Sequence, residues 1–262
     1  MDALLRELPP GALVLDLAAG NGSFAPERYP WLRVVRLDIA PPARSAGAAA
    51  VQADAAALPF RDGTFQAVIC NHGLEHFVRL EATVAEMGRV LQPGGGLFLS
   101  VPDATTLTDR LYRFLARGGG HVNRFRSPQQ VVSLVERVAG LRCRGKRTLY
   151  TSLCFLHPCN RGRRRNRRLW LLLGAPAGAL RWAVWFFRII DRRLGTRLAV
   201  YGWSFYFGSI GPQLEETPWL NVCIRCGAGH PTDALNPSGL RWASSYRCPE
   251  CGERNRFIGE GG

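Results

Sequence analysis

Lysine is almost missing from this chain. Lys146 is the only one, and every other basic residue is arginine. With so much alanine and glycine alongside, that bias reads as genome composition, so the choice of arginine is not itself evidence of phosphate recognition. Only the clustering of the arginines carries information. No run of eighteen or more residues lacks charge, which argues against a simple membrane-spanning helix. The opening MDALLRELPPG has no basic segment followed by an apolar one, so a secretory leader is not expected and a cytoplasmic setting is. In that setting a disulfide framework is not expected either.

The 262 residues are 47% hydrophobic and 21% charged, which suits one or two globular domains. The net charge of +14 is uneven: residues 1–156 balance to +5, 157–200 to +10 and 201–262 to −1. Any anionic partner should therefore meet the middle segment. The eight cysteines are just as unevenly placed. Cys70, Cys143, Cys154 and Cys159 are scattered, while Cys223, Cys226, Cys248 and Cys251 form two C-x-x-C pairs.

Short apolar runs alternate with helical patterns over the first 156 residues, the pattern of an α/β domain with a mainly parallel sheet. Strands are expected at 12–17, 32–39, 49–54, 65–71 and 96–102. Helices are expected at 80–91, closed by Pro93-Gly94-Gly95-Gly96, and at 127–141, capped by Ser127 and ended by Gly140. TLYTSLCF (148–155) and LAVYGWSFYFGSI (198–210) read as two further strands flanking an insertion. This gives a cofactor-type domain over 1–156 and 198–212, a basic helical insertion at 157–197, and a small module at 215–262.

VLDLAAGNGSF is a strand leading into a glycine turn. Asp16 ends the strand, and Gly20 and Gly22 let the backbone approach a ligand. Asp38 ends the second strand, where an acid can accept from ribose hydroxyls, and Asp54 follows the third, where a carboxylate can meet an adenine amino group. Acids at the ends of neighbouring parallel strands mark a ligand crevice. Each could instead be a strand–helix connection or a helix cap, but the ordered set favours a nucleotide-like cofactor. A dinucleotide fold would want G-x-G-x-x-G, and the chain has G-N-G-S-F-A.

VLDLAAGNG, RLDIA, ADAAALPFRDGTFQAVICNHGLEHF and EMGRVLQPGGGLFLSVPD, in that order, resemble class I S-adenosylmethionine-dependent methyltransferases, most like the subgroup called type 11. The resemblance covers about residues 10–156 and the strand near 200–210. It implies a seven-stranded, Rossmann-like sheet with helices on both faces and the last strand inserted antiparallel. It gives Asp16 and Gly20, within the turn Ala18–Gly22 that includes Asn21, to the methionine end of the cofactor. It gives Asp38 to the ribose, Ile39 to the face of the adenine, Asp54 and Ala55 to its edge, and Asn71 to the methionine part. Ala18 stands where the family has its first glycine. The resemblance also excludes subclasses: Asn71-His72-Gly73-Leu74 is not the Asn/Asp-Pro-Pro-aromatic of exocyclic-amine methylases, and a single lysine cannot make a Lys-Asp-Lys-Glu tetrad.

In-line methyl transfer needs a positioned nucleophile, and a base helps where the acceptor carries a tightly held proton. His72, His76 and His121 are the base candidates. His76 and His121 are the two given most weight, His121 because it lies in a loop after Gly118-Gly119-Gly120 that would suit a lid.

The insertion holds six arginines between 161 and 168, then an apolar stretch from Leu169 that Gly174 and Pro176 divide into two helices. In the second helix Arg181, Arg188 and Arg192 share a face, and Trp182, Trp185, Phe186 and Phe187 fill much of the rest. Three readings stay open: a lid over the acceptor, an interfacial helix on an anionic membrane surface, or a nucleic-acid contact, the last disfavoured by the aromatics. The acceptor expected is a small or lipid-linked molecule, with an RNA-binding or RNA-methylating protein as the alternative. The two cysteine pairs read as the knuckles of a zinc ribbon holding one structural Zn²⁺, with no histidine evident beside them.

Overall fold

A computed structural model describes residues 1–42, 45–115, 120–163, 176–212, 221–235 and 244–259. The insertion's first helix, most of its arginine run, and Gly118 and Gly119 of the expected hinge lie outside those residues. The chain forms two compact units. One comprises 1–103, 120–147 and 203–216; the other comprises 104–119, 148–202 and 217–262. The expected insertion and cysteine module thus fall mostly into the same unit.

The first unit is built on a seven-stranded sheet. Its strands are β1 (Leu13–Leu17), β2 (Arg33–Asp38), β3 (Ala48–Gln52), β4 (Phe65–Asn71), β5 (Leu91–Pro102), β6 (Cys143–Tyr150) and β7 (Val200–Gly208). Their order is β3-β2-β1-β4-β5-β7-β6. The pairings β1–β2, β1–β4, β2–β3 and β4–β5 are parallel. β7 runs antiparallel to β6: Gly208 donates to the Arg142 carbonyl at one end, and Thr151 donates to the Ala199 carbonyl at the other. The chain order reverses on either side of β1 and β4, so the carboxyl ends of β1, β2 and β4 open a crevice, the usual ligand site of such sheets.

The α-helices that precede β6 in sequence are α1 (Asp2–Glu7), α2 (Leu80–Val90), α3 (Leu107–Leu115) and α4 (Pro128–Ala139); α1, α2 and α4 belong to the first unit and α3 to the second. One core layer joins β1, β4, β5 and β7 to α2 and α4 through Leu15, Val68, Val84, Met87, Val131 and Phe205. The other joins Val14, Ile69 and Phe98 to Leu4 and Leu5 of α1. The polar look of MDALLRELPPG hid α1, whose two adjacent leucines are fully buried.

Three local expectations are corrected. β5 begins at Leu91, paired to Phe65, and resumes at Gly96 paired to Ala67, so Pro93-Gly94-Gly95 form an irregularity within the strand rather than a turn before it. β6 begins at Cys143, not Thr148, because an edge strand accepts Arg144 and Lys146 on its unburied positions, while Arg147 is buried. Ser127 stands at the start of α4 but makes no capping side-chain bond; Pro128 and the left-handed Gly140 bound that helix.

The second unit centres on α5 (Ala177–Leu194), with the hairpins β8 (Asn221–Val222)–β9 (Gly229–His230) and β10 (Ser245–Arg247)–β11 (Arg254–Arg256), and the short α6 (Thr232–Leu235). Its core is Leu153, Leu156, Leu180, Val184 and Ile224. The three arginines that share a face of this helix all make bonds within the unit, Arg188 buried, Arg181 half-buried and Arg192 exposed. Arg188 is 2% exposed, donates to the Thr151 carbonyl at 3.1 Å and lies over the Tyr150 ring. Arg181 pairs with Glu253 at 3.3 Å, and Arg192 donates to the Gly259 carbonyl at 2.6 Å. A small core leaves carbonyls and carboxylates needing donors, and three long arginines supply them. Trp182 and Phe186 remain half-exposed on α5. Among the described residues no helix is long and apolar enough to cross a membrane.

Candidate functional site

Asp16, near the end of β1, is fully buried. Its Oδ2 accepts the Ser23 amide at 2.9 Å and lies 3.8 Å from Arg36 Nε. Its Oδ1 is buried with no hydrogen-bond partner among the described residues. Burial holds this carboxyl above the usual carboxylate range, while Ser23 and Arg36 oppose the shift. An unpartnered buried carboxylate oxygen is costly unless a donor completes it, and an ammonium group is the donor it suits best.

The turn beyond is wound by positive φ at Ala18 (55°), Gly20 (49°) and Gly22 (100°). At Gly20 the place a Cβ would take is open, so a ligand can approach. Gly22 differs from the sequence reading. A Cβ there would stand 2.1 Å from Arg36 Nη2, so this glycine makes room for a buried arginine rather than for a ligand. Arg36 donates to the Phe24 carbonyl at 2.9 Å. Within an apolar strand Arg36 carried no signal of that role. Asn21 is exposed and lines a separate shallow depression with Gly22 and Arg36. Ala18, a left-handed residue with a Cβ, bears strain that a glycine would not.

Asp38, Ile39, Asp54 and Ala55 line one cavity of about 570 Å³, together with His72 and His76. Asp38 accepts the Gly20 amide at 2.9 Å and the Ala40 amide at 3.2 Å, which ties the glycine turn to the end of β2. Ile39 and Val78 are 69% and 84% exposed on the cavity wall, an apolar pair suited to the faces of a flat ring. Val78 was missed because a lone valine after LEHF has no pattern. Asp54 accepts the Ala56 amide at 2.8 Å and pairs with Arg79; these contacts hold its carboxyl below the usual range. Asn71 accepts from the Ser100 hydroxyl at 2.6 Å and does not line the cavity.

His72 has φ of 56°, and burial followed by the nearby His121 and His76 pushes its pKa down to about 4. About a third of its side chain is exposed, yet its Nδ1 is buried, 3.8 Å from Glu75 Oε1. His76 Nδ1 lies 3.0 Å from the Gly120 carbonyl, and burial lowers its pKa. His121 meets His76 edge to face, with ring centroids 5.0 Å apart. The base candidates thus form one cluster, with His72 and His76 on the cavity wall and His121 against His76, joined by a buried Glu75 that the sequence reading did not single out.

In the second unit, Cys223, Cys226, Cys248 and Cys251 bring their sulfurs within 4.8 Å of one another. Each pair sits in a knuckle joining the two strands of a hairpin. Gly227 and Gly252, with φ of 79° and 71°, donate to the Cys223 and Cys248 carbonyls at 3.0 and 2.8 Å. Cys223 and Cys251 sulfurs are 3.5 Å apart, and Cys226 and Cys248 sulfurs 3.7 Å. Those gaps are far too long for disulfides. A tetrahedron with metal–sulfur bonds of ~2.3 Å has edges of about 3.8 Å, so the set fits one four-coordinate zinc. The buried His230 places Nε2 3.3 Å from Cys248 Sγ, a contact the sequence reading missed because His230 lies outside both C-x-x-C pairs. It can donate to a thiolate.

Residues 15–99 match the family described as "Methyltransferase domain". The demethylmenaquinone methyltransferase of Deinococcus radiodurans is 35% identical over 170 residues, spanning 54% of this chain and 70% of that protein. That of Thermus thermophilus is 42% identical over 110 residues, 37% of this chain and 49% of that protein, so the chain spans about half of this relative. The crystal structure of a candidate methyltransferase from Bacillus halodurans aligns with a TM-score of 0.53 at 20% identity, covering 79% of this chain and 96% of that one, which shows a shared fold. The chain belongs to the class I S-adenosylmethionine-dependent methyltransferases.

Proposed function

We propose that this protein transfers a methyl group from S-adenosylmethionine to a small-molecule or lipid-linked acceptor. The carrying observation is the unpartnered Asp16 Oδ1 buried under a glycine turn open at Gly20. Asp16 and Gly20 would take the amino-acid end of the cofactor, Asp38 the ribose, Ile39 and Val78 the faces of the adenine, and Asp54 with Ala55 its edge. The cofactor supplies a sulfonium methyl, and the chain's part is to hold the acceptor in line and keep water away. Neutral His72, on the cavity wall, stands where a proton could be received. Relatives named as demethylmenaquinone methyltransferases support a small or lipid-linked acceptor. The four cysteines would hold a structural zinc.

A peripheral seat on the inner face of a membrane belongs to the same proposal. Trp182 and Phe186 are the residues available for it, since the α5 arginines are engaged within the protein. The RNA reading rests instead on the arginines of 161–168, most of which lie outside the described residues. Incubation with methyl-labelled cofactor and a total cell extract tests both. Label is expected in the organic or small-molecule fraction; label in phenol-extracted RNA would overturn the assignment.

A further inference from the structure

The four thiolates are one of two metal-competent sets among the described residues. Glu75, His76 and His121 place one carboxylate oxygen and two ring nitrogens within 4.8 Å of one another. Glu75 and His76 lie on a single 3-10 turn, Leu74–His76. His121 comes from a loop much later in the chain, and that loop is fastened to the turn. The Val122 and Asn123 amides donate to the Glu75 carbonyl at 2.8 and 3.0 Å. The Asn123 side-chain amide donates to the Leu74 and Phe77 carbonyls at 2.9 and 2.7 Å. Four hydrogen bonds thus fix the spacing of the three ligating groups before any ion arrives.

The His76 ring is oriented in the same way. A carbonyl oxygen only accepts, so the 3.0 Å contact with Gly120 puts the proton on Nδ1 and leaves the lone pair on Nε2. Metal-binding histidines commonly donate their other ring N–H to just such a carbonyl. His72, at left-handed φ, places Nδ1 3.8 Å from Glu75 Oε1 at the edge of the cluster.

We propose that Glu75, His76 and His121 bind one divalent first-row transition-metal cation beside the cofactor cavity, whose wall His76 lines. Two imidazoles favour Zn²⁺, Co²⁺, Fe²⁺ or Mn²⁺ over Mg²⁺ and Ca²⁺. Three protein ligands leave coordination positions open, unlike the closed four-thiolate set. Resting on the methyl-transfer reading, the open positions take a hydroxyl oxygen of the acceptor. The cation lowers the pKa of that hydroxyl, and its proton passes to water. The oxygen then attacks the sulfonium methyl: the O–C bond forms, the S–C bond breaks, and its electron pair leaves the sulfur as a neutral thioether.

Equilibrium dialysis of the full zinc-loaded chain against Co²⁺ and Mn²⁺, followed by metal analysis, tests the site without any turnover. Wild type is expected to hold one more ion per chain than His121→Ala, with His76→Ala and Glu75→Gln each weakening that ion at least tenfold. His121→Gln serves as a second variant should the alanine chain lose its circular dichroism. Equal metal content in wild type and both His121 variants would overturn the proposal. Titration of wild type with S-adenosylhomocysteine in parallel separates the two readings. A chain that binds the nucleotide but no extra ion loses only the cation site, and the reverse loses only the methyl-transfer reading.

Discussion

The glycine-turn crevice and the four-cysteine centre solve the same problem, holding a ligand with few residues, in opposite ways. The crevice draws its groups from the ends of four strands spread over residues 16–72, and the sheet sets their positions. The cysteine centre draws on two four-residue knuckles, and the expected metal holds the hairpins around it. In the first the fold makes the site; in the second the site makes the fold. The crevice should therefore tolerate ligand removal with its structure intact, and the cysteine centre should not.

Metal removal gives the largest expected effect. Structural zinc contributes on the order of 10 kcal/mol to the folding of small modules. Chelation is expected to abolish hydrogen-exchange protection over residues 221–259 while S-adenosylhomocysteine affinity stays nearly intact. Loss of that affinity on chelation would break the contrast. Next is Arg188→Ala, which leaves the Thr151 carbonyl unmet and opens a cavity, at about 3 kcal/mol by denaturant unfolding. Arg188→Met is expected to recover most of it by filling the space. Asp38→Ala is expected to cost about 2 kcal/mol of cofactor affinity in calorimetry, as charge-assisted hydrogen bonds are lost.

Asp16 sharpens the contrast through pH. Its carboxyl holds its proton more tightly folded than unfolded. The stability tied to that proton is complete below the ordinary carboxylate pKa and is lost as pH rises through the raised value. As pH rises above about 4, the ordinary carboxylate value, wild type is expected to lose melting temperature relative to Asp16→Asn. Coincident curves would remove the idea that this acid is kept for a ligand at the expense of stability. The smallest effect is Ala18→Gly, expected to stabilise by about 0.5–1 kcal/mol in thermal unfolding by relieving the left-handed strain.

Legibility in the sequence followed the same division. The paired cysteines could be read directly because the ligands are close in sequence, and the structure brings all four together. Asp16, Asp38 and Asp54 were legible from their places after apolar runs. What the sequence hid depends on tertiary partners: Arg36 filling the space at Gly22, Arg79 meeting Asp54, and His230 reaching Cys248 from outside the knuckle. The α5 arginines were misread for the same reason, since helical periodicity shows which residues share a face but not what covers it. Glu75 was passed over because a glutamate on a short turn has no local mark; only the return of the 120–123 loop brings His121 to it.

The central claim is that the buried Asp16 carboxylate under the glycine turn is completed by the amino-acid end of the cofactor. Calorimetric titration of wild type and Asp16→Asn with S-adenosylhomocysteine tests it most directly. Asparagine keeps an oxygen for the Ser23 amide but removes the charge. The account predicts one nucleotide per wild-type chain and binding at least tenfold weaker in the variant, with the fold retained. Equal affinity in the two chains, or no binding to wild type at millimolar nucleotide, would contradict it.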